Sequence, residues 1–192
     1  MLFETICIQN GSIQHLSYHQ ARFDASRAAL FGEEAGRVDL GSVIKPPSGS
    51  CILKCRIEYG SQITQISYTP YKRRCIKKLK KVSSSIEYAH KYTDREAIEE
   101  LFQTRGDADD ILIIRDGLVT DTSIANIAFY DGRKWLTPKT PLLRGTTRER
   151  LIRSGFLVPR DIGVNEIESF ERFALMNAMI GFSPVENGII TD

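Results

Sequence analysis

Val119-Thr120-Asp121-Thr122-Ser123-Ile124-Ala125-Asn126 is preceded by Tyr88-Ala89-His90-Lys91-Tyr92 and followed by Leu143-Arg144-Gly145-Thr146-Thr147-Arg148-Glu149. The first of these stretches ends a strand on a carboxylate and turns through small and hydroxylated residues. The last places Gly145 ahead of a Thr-x-x-Glu capping box, Thr146 to Glu149, opening a helix that runs to Ser154 with Gly155 as its stop. N–H groups in the first turn of a helix lack intrahelical acceptors, and the helix dipole there favours an anion. Lys91 adds an amine. The three stretches together supply an amine, a carboxylate and an anion cradle.

Working outward, Phe3 to Gln9 alternates as a strand, turns at Asn10-Gly11 and returns through Ser12 to Leu16, which predicts a hairpin. Tyr18 to Phe31 reads as a helix ended by Gly32, and Glu33 to Ser50 has loop composition with room for one short helix. In Cys51 to Tyr59, the residues Cys51, Leu53, Cys55, Ile57 and Tyr59 share one face while Ile52, Lys54, Arg56 and Glu58 share the other. Gln62 to Tyr68 is its expected hairpin partner. The basic stretch Lys72 to Lys81, with Val82 to Ser85 after it, reads as the boundary between two halves.

In the second half, Thr93 or Asp94 is positioned to cap a helix from Arg95 to Gln103 with Ile98, Leu101 and Phe102 inward. Two hairpins follow, around Asp116-Gly117 and Asp131-Gly132. Short strands at Ile162 to Val164 and Ala174 to Met176, with an Asn165-capped turn between them, close the pattern. The expected architecture is α+β in two domains, residues 1–83 and 84–192.

The chain has 26 Lys+Arg against 24 Asp+Glu, a formal charge of +2. That balance argues against a nucleic-acid or membrane-surface protein and suits a small anionic ligand. The Lys72 to Lys81 run lacks interleaved aromatics beyond Tyr71, so a solvated linker face explains it better than a nucleic-acid patch. No apolar run approaches membrane-spanning length, and the first residues show no secretory pattern, so the expected location is the cytoplasm. Cys7, Cys51, Cys55 and Cys75 are then expected reduced and mostly buried, with Cys51 and Cys55 in the core. His15 and His19 have helical spacing without an acidic or cysteine partner nearby in sequence, so no metal is expected.

An amine, a carboxylate and an anion cradle are the groups a pyridoxal phosphate enzyme uses: a lysine for the Schiff base, an acid against the pyridine nitrogen, N–H and hydroxyl groups for the phosphate. With Phe3-Glu4-Thr5-Ile6, His19-Gln20-Ala21-Arg22-Phe23 and Asn177-Ala178 added in order, the chain resembles the class IV aminotransferases. These are the fold-type IV pyridoxal phosphate enzymes, which include branched-chain and D-amino acid aminotransferases and aminodeoxychorismate lyases. The resemblance implies a cofactor in an interdomain cleft, a homodimer and an amino acid or amino-chorismate substrate. It implies that Lys91 is the Schiff-base lysine and that Asp121 stands where a glutamate usually meets the pyridine nitrogen. It assigns phosphate contacts to Arg22, to the backbone of Ile124 and Ala125, and to Thr146 and Thr147.

The departures are informative. The family's usual first strand pair ahead of Phe3 is missing, so the chain reads as a short variant. Phe3 occupies a position where D-amino acid aminotransferases have a tyrosine. After Gly60, Ile63-Thr64-Gln65-Ile66 replaces their carboxylate-trapping arginine and histidine, which argues against D-amino acid specificity. Arg56 is the alternative carboxylate binder. Three readings result: an aminotransferase, an aminodeoxychorismate lyase-like enzyme, and a non-catalytic protein that keeps the fold and binds the cofactor.

Overall fold

The computed structural model describes residues 1–49 and 51–192, with the backbone alone at residues 33 and 34. It is a mixed α+β structure that divides into two compact units. The first comprises Met1–Arg73 with His90–Asp94, and the second Arg74–Ala89 with Arg95–Asp192. The division thus falls ten residues earlier than the expected boundary at residue 83, and the Lys91 segment joins the first unit.

In the first unit, β1 (Leu2–Gln9) and β2 (Ser12–Ile13) form the predicted hairpin. Helix α1 follows (Leu16–Phe31), then a 3-10 turn (Gly32–Ala35) and α2 (Leu40–Val43), the short helix expected in the loop. Ser50, the end of that predicted loop, lies outside the described residues. Strands β3 (Leu53–Tyr59) and β4 (Ile63–Pro70) complete an antiparallel sheet in the order β2-β1-β3-β4.

The period of two in β1 and β3 sorts this unit chemically. The register pairs Glu4 with Ile57, Ile6 with Cys55 and Ile8 with Leu53. These side chains share a face with Phe23 of α1 and with Leu40, Ile44 and Tyr59, and all of the apolar ones are buried in one core. The opposite face pairs Phe3 with Glu58 and Thr5 with Arg56. Every second residue of β3 is buried as predicted, from Leu53 to Tyr59. Cys51 is not: it precedes the strand and is exposed, as is Cys75, while Cys7 and Cys55 are buried.

The second unit begins with β5 (Lys78–Ser83), so half of the expected linker is strand instead. The reason is Leu79, fully buried with Leu112 and Ile127, while the lysines around it keep their charged ends outward. Strand β5 runs parallel to β6 (Asp110–Arg115). A parallel pair needs a crossover, and residues 84–109 supply it, carrying Lys91 and α3 (Glu96–Gln103). Neither Thr93 nor Asp94 caps α3; Arg95 takes the N-cap position without a side-chain bond.

Strands β7 (Leu118–Thr122), β8 (Asn126–Tyr130) and β9 (Trp135–Pro138) follow in antiparallel pairs. Asp116 and Gly117 both adopt positive φ, the turn that Asp-Gly predicted. Helix α4 (Thr146–Arg153) leads to β10 (Leu157–Arg160), a 3-10 segment (Val164–Ser169), β11 (Arg172–Asn177), β12 (Gly181–Pro184) and β13 (Ile189–Thr191). Strands β10, β12 and β13 had no clear signal in the sequence. The expected strand at Ile162 to Val164 reduces to one bridge between Gly163 and Leu118, and the cap there is Gly163, not Asn165.

Candidate active site

In the first unit the Lys91 segment is pinned to the start of β1. Phe3 N–H donates to Lys91 C=O at 2.9 Å, Thr93 N–H donates to Met1 C=O at 3.1 Å, and Leu2 forms a bridge with Tyr92. The Lys91 side chain is half-buried, with Nζ 4.5 Å from the centroid of the Phe3 ring. Arg56 stacks on the same ring at 3.9 Å and donates Nε–H to Glu58 at 2.7 Å. Lys91, Phe3 and Arg56 are therefore brought together, as the strand register requires.

Behind them lies a buried ionic network. Glu4 is fully buried, and both its oxygens are engaged by Arg22, with Nε at 2.8 Å and Nη2 at 2.6 Å. His19 Nδ1 is 2.7 Å from Glu4 Oε2, so the acidic partner that nearby sequence lacked comes from β1. Burial alone would raise the Glu4 carboxyl, but the Arg22 charge and the His19 and Arg22 hydrogen bonds hold it down at about 2. Two nitrogens of the expected phosphate arginine, Nε and Nη2, are thus engaged by a carboxylate.

The second unit collects the other group. Asp121 lies buried at the end of β7, directly across from Asn126 on β8. Asn126 Nδ2–H donates to Asp121 Oδ1 at 2.6 Å and Leu143 N–H donates to Oδ2 at 2.8 Å. Thr122 organises the turn between the strands: its Oγ1 accepts from Ala125 N–H at 3.1 Å and from Ile124 N–H at 3.4 Å. The two N–H groups assigned to phosphate by resemblance therefore already have a hydroxyl acceptor. Arg95 steadies the same turn by donating to Ser123 C=O at 2.6 Å.

At α4, Thr146 and Thr147 are buried at the first turn. Gly145 holds the N-cap position with no side-chain cap, so the expected capping box through Glu149 does not close. A first turn left without a side-chain cap suits an external anion. The groups of each unit suit pyridoxal phosphate by their chemistry: an amine in the first, and a buried carboxylate, hydroxyls and helix N-terminal N–H groups in the second. Among the described residues no cluster of His, Cys, Asp or Glu has the arrangement of a metal site.

Burial pushes the Asp121 carboxyl up to about 6, against the Leu143 N–H, the Asn126 amide and the Arg148 charge, all of which favour ionisation. Because the folded value exceeds the ordinary 3.8, this group's contribution is greatest at low pH and is lost as pH rises through 6. Stability of the cofactor-free protein against urea is expected to fall by up to about 3 kcal/mol between about pH 4 and pH 7 from this group. Asp121→Asn should flatten that slope; an unchanged slope would place the titration elsewhere.

Sequence reasoning passed over Glu4, His19, Thr122, Asn126 and Arg95 as working residues. A charged residue inside the apolar run Leu2 to Ile8, and a His-x-x-Arg spacing on the facing helix, were the signals for the first two.

The amino-transferase class IV profile matches residues 59–187. An uncharacterized protein of Haemophilus influenzae is 42% identical over 184 residues, covering 94% of this chain and 98% of its own. The crystal structure of a proposed 4-amino-4-deoxychorismate lyase from Haemophilus somnus 129pt superposes with a TM-score of 0.88 at 33% identity, covering 94% of this chain and 96% of that one. A hypothetical aminotransferase from Mycobacterium tuberculosis, in its PLP-bound form, shares the fold at a TM-score of 0.73 and 18% identity, over 100% of this chain and 81% of that one. The profile match takes in β7, β8, the Gly145 loop and the Lys91 segment, and with it the chain belongs to the class IV aminotransferase family.

Proposed function

We propose that this protein is a pyridoxal phosphate-dependent aminotransferase acting on a carboxylate-bearing primary amine. The observation that carries the reading is the seating of the Lys91 amine on the Phe3 ring, the ring on which the Arg56 guanidinium also stacks. Pyridoxal phosphate, when bound, supplies the electron sink that lets a proton leave the carbon bearing the substrate's amine. Lys91 is the attachment point, and its Nζ takes that proton and returns it to the adjacent position.

Asp121 provides the carboxylate for the pyridine nitrogen. Thr146 and Thr147 hold the phosphate, assisted by Arg22; the Ile124 and Ala125 N–H groups stay on the Thr122 hydroxyl. Arg56 receives the substrate carboxylate on the face that carries Phe3, its Nη groups remaining for a bidentate contact while Nε stays on Glu58. Arg56→Gln is expected to raise KM for the amino donor about tenfold or more while kcat changes little; equal losses in kcat alone would remove Arg56 from substrate binding.

A second reading, lyase chemistry on 4-amino-4-deoxychorismate, is favoured by the 33% identical Haemophilus somnus protein. The family expectation is a cytoplasmic homodimer, and among the described residues no helix is long and apolar enough to cross a membrane. The test is a visible spectrum of the protein with added pyridoxal phosphate, then borohydride reduction and peptide mapping, then assays for keto acid from amino donors and for pyruvate from aminodeoxychorismate. Reduction should fix the cofactor on Lys91. A folded protein that fixes none supports instead a non-catalytic member of the family.

A further inference from the structure

The Leu143 peptide is held at both of its polar atoms by two side chains from neighbouring strands. Its N–H donates to Asp121 Oδ2 at 2.8 Å, and its C=O accepts from Asn126 Nδ2 at 2.8 Å. The same Asn126 nitrogen donates to Asp121 Oδ1 at 2.6 Å, closing a three-membered network of carboxylate, amide and peptide. Asp121 and Asn126 are 5% and 7% exposed, so these bonds are made where water competes little and an unmade one is costly.

Two residues farther on, Gly145 carries the clamp into α4. Its φ of −69° and ψ of 143° are open to any residue, so backbone conformation gives no reason for glycine. Space does: a Cβ built on Gly145 would overlap Asn126 Oδ1. The amide therefore lies against the bare backbone at the N-cap of α4, and Gly145 C=O accepts the first helical bond, from Glu149 N–H at 2.9 Å.

We infer that Asp121 and Asn126 act as a pair of positioning residues for the anion cradle of Thr146 and Thr147, setting the Leu143 to Gly145 approach so that the first-turn N–H groups of α4 meet a phosphate. This rests on the cofactor reading above and adds to it: Asp121 is a structural brace of the phosphate end as well as a carboxylate for the ring. Asn126, which is assigned no contact of its own with the cofactor, controls affinity for the phosphate through the loop.

The test compares pyridoxal phosphate with pyridoxal, which has the same aldehyde and ring without the phosphate. In Asn126→Ala, pyridoxal phosphate affinity is expected to fall about tenfold or more, while pyridoxal affinity stays within about twofold. Gly145→Ala approaches the same contact from the loop side and should produce the same selective loss. The double variant, with room for the new methyl, should lose less than the two single losses combined. Thermal unfolding confirms that each variant is folded, and Gly145→Ala carries the test if Asn126→Ala is not. Equal losses for both ligands, or no loss for either, overturn the proposal while leaving Lys91 and the cofactor in place. A wild-type protein with no preference for pyridoxal phosphate over pyridoxal overturns the cradle itself, and the brace with it.

Discussion

Lys91→Ala is expected to abolish borohydride fixation of pyridoxal phosphate and to lower turnover by about a thousandfold or more, the scale of losing both a covalent anchor and a proton carrier. The fold should survive. The backbone at this position is tied by its carbonyl to Phe3 N–H and through its neighbours to Met1 and Leu2, and none of these bonds involves the lysine side chain. The amine's contact with the Phe3 ring is among what the fold loses, on the order of 0.5–1 kcal/mol at a half-exposed position. Lys91→Arg sharpens the result. It retains a cation over Phe3 but no amine able to lose its proton near neutral pH, so it should keep wild-type stability and still fix no cofactor. Retention of a reducible cofactor in both variants would assign the chemistry to a different lysine.

The fold and the residues proposed for this chemistry were legible from sequence to different degrees, for physical reasons. Local signals survived: Asp116-Gly117 makes its hairpin because both residues take positive φ, Asp131-Gly132 makes its own because the Asp131 carboxylate accepts from the Arg133 and Lys134 N–H groups, and β3 shows its alternation because one face is core. Long-range ones did not. Strand β13 consists of Ile189–Thr191 and pairs in parallel with β5, more than a hundred positions earlier, so nothing near it in sequence indicates a partner. Lys78 to Lys81 looked like linker because charge outnumbers apolar residues there, yet the single buried Leu79 is enough to seat the strand between two others. The capping box at Thr146 failed because the helix takes Gly145, one residue earlier, as its N-cap, and Asn126, nineteen positions away, leaves no room for a side chain there. Lys91, Asp121 and Thr147 are proposed from their ordered motifs, whereas Asn126 acts on another side chain and carries no chemical signature of its own, and Glu4 shows only as a charge inside an apolar run.

Glu4→Leu is expected to destabilise the protein by about 3–5 kcal/mol at neutral pH, the cost of leaving a buried cation without its counter-charge. Glu4 has no exposed surface, and it is the acceptor for both the Arg22 fork and the His19 ring. Leucine fills the space but accepts nothing, so the Arg22 side chain, 15% exposed, and the His19 side chain, 2% exposed, both lose their carboxylate acceptor where water reaches them poorly. The pH dependence provides an independent check. The folded carboxyl is held at about 2 against an ordinary 4.5, so its stabilisation is fully present above pH 4.5 and is lost as pH falls toward 2. That shift corresponds to about 3 kcal/mol, and urea midpoints of the wild type should fall steeply on that acid limb while those of Glu4→Leu do not. The direction is opposite to that of Asp121, whose contribution is lost as pH rises, so the two groups separate cleanly in one titration. Glu4→Leu combined with Arg22→Leu removes both charges and should recover much of the stability, since a buried ion pair replaced by apolar volume is often neutral. It should not recover pyridoxal phosphate affinity. Recovery of both would mean that Arg22 serves only to neutralise Glu4, and the phosphate would then rest on Thr146 and Thr147 alone.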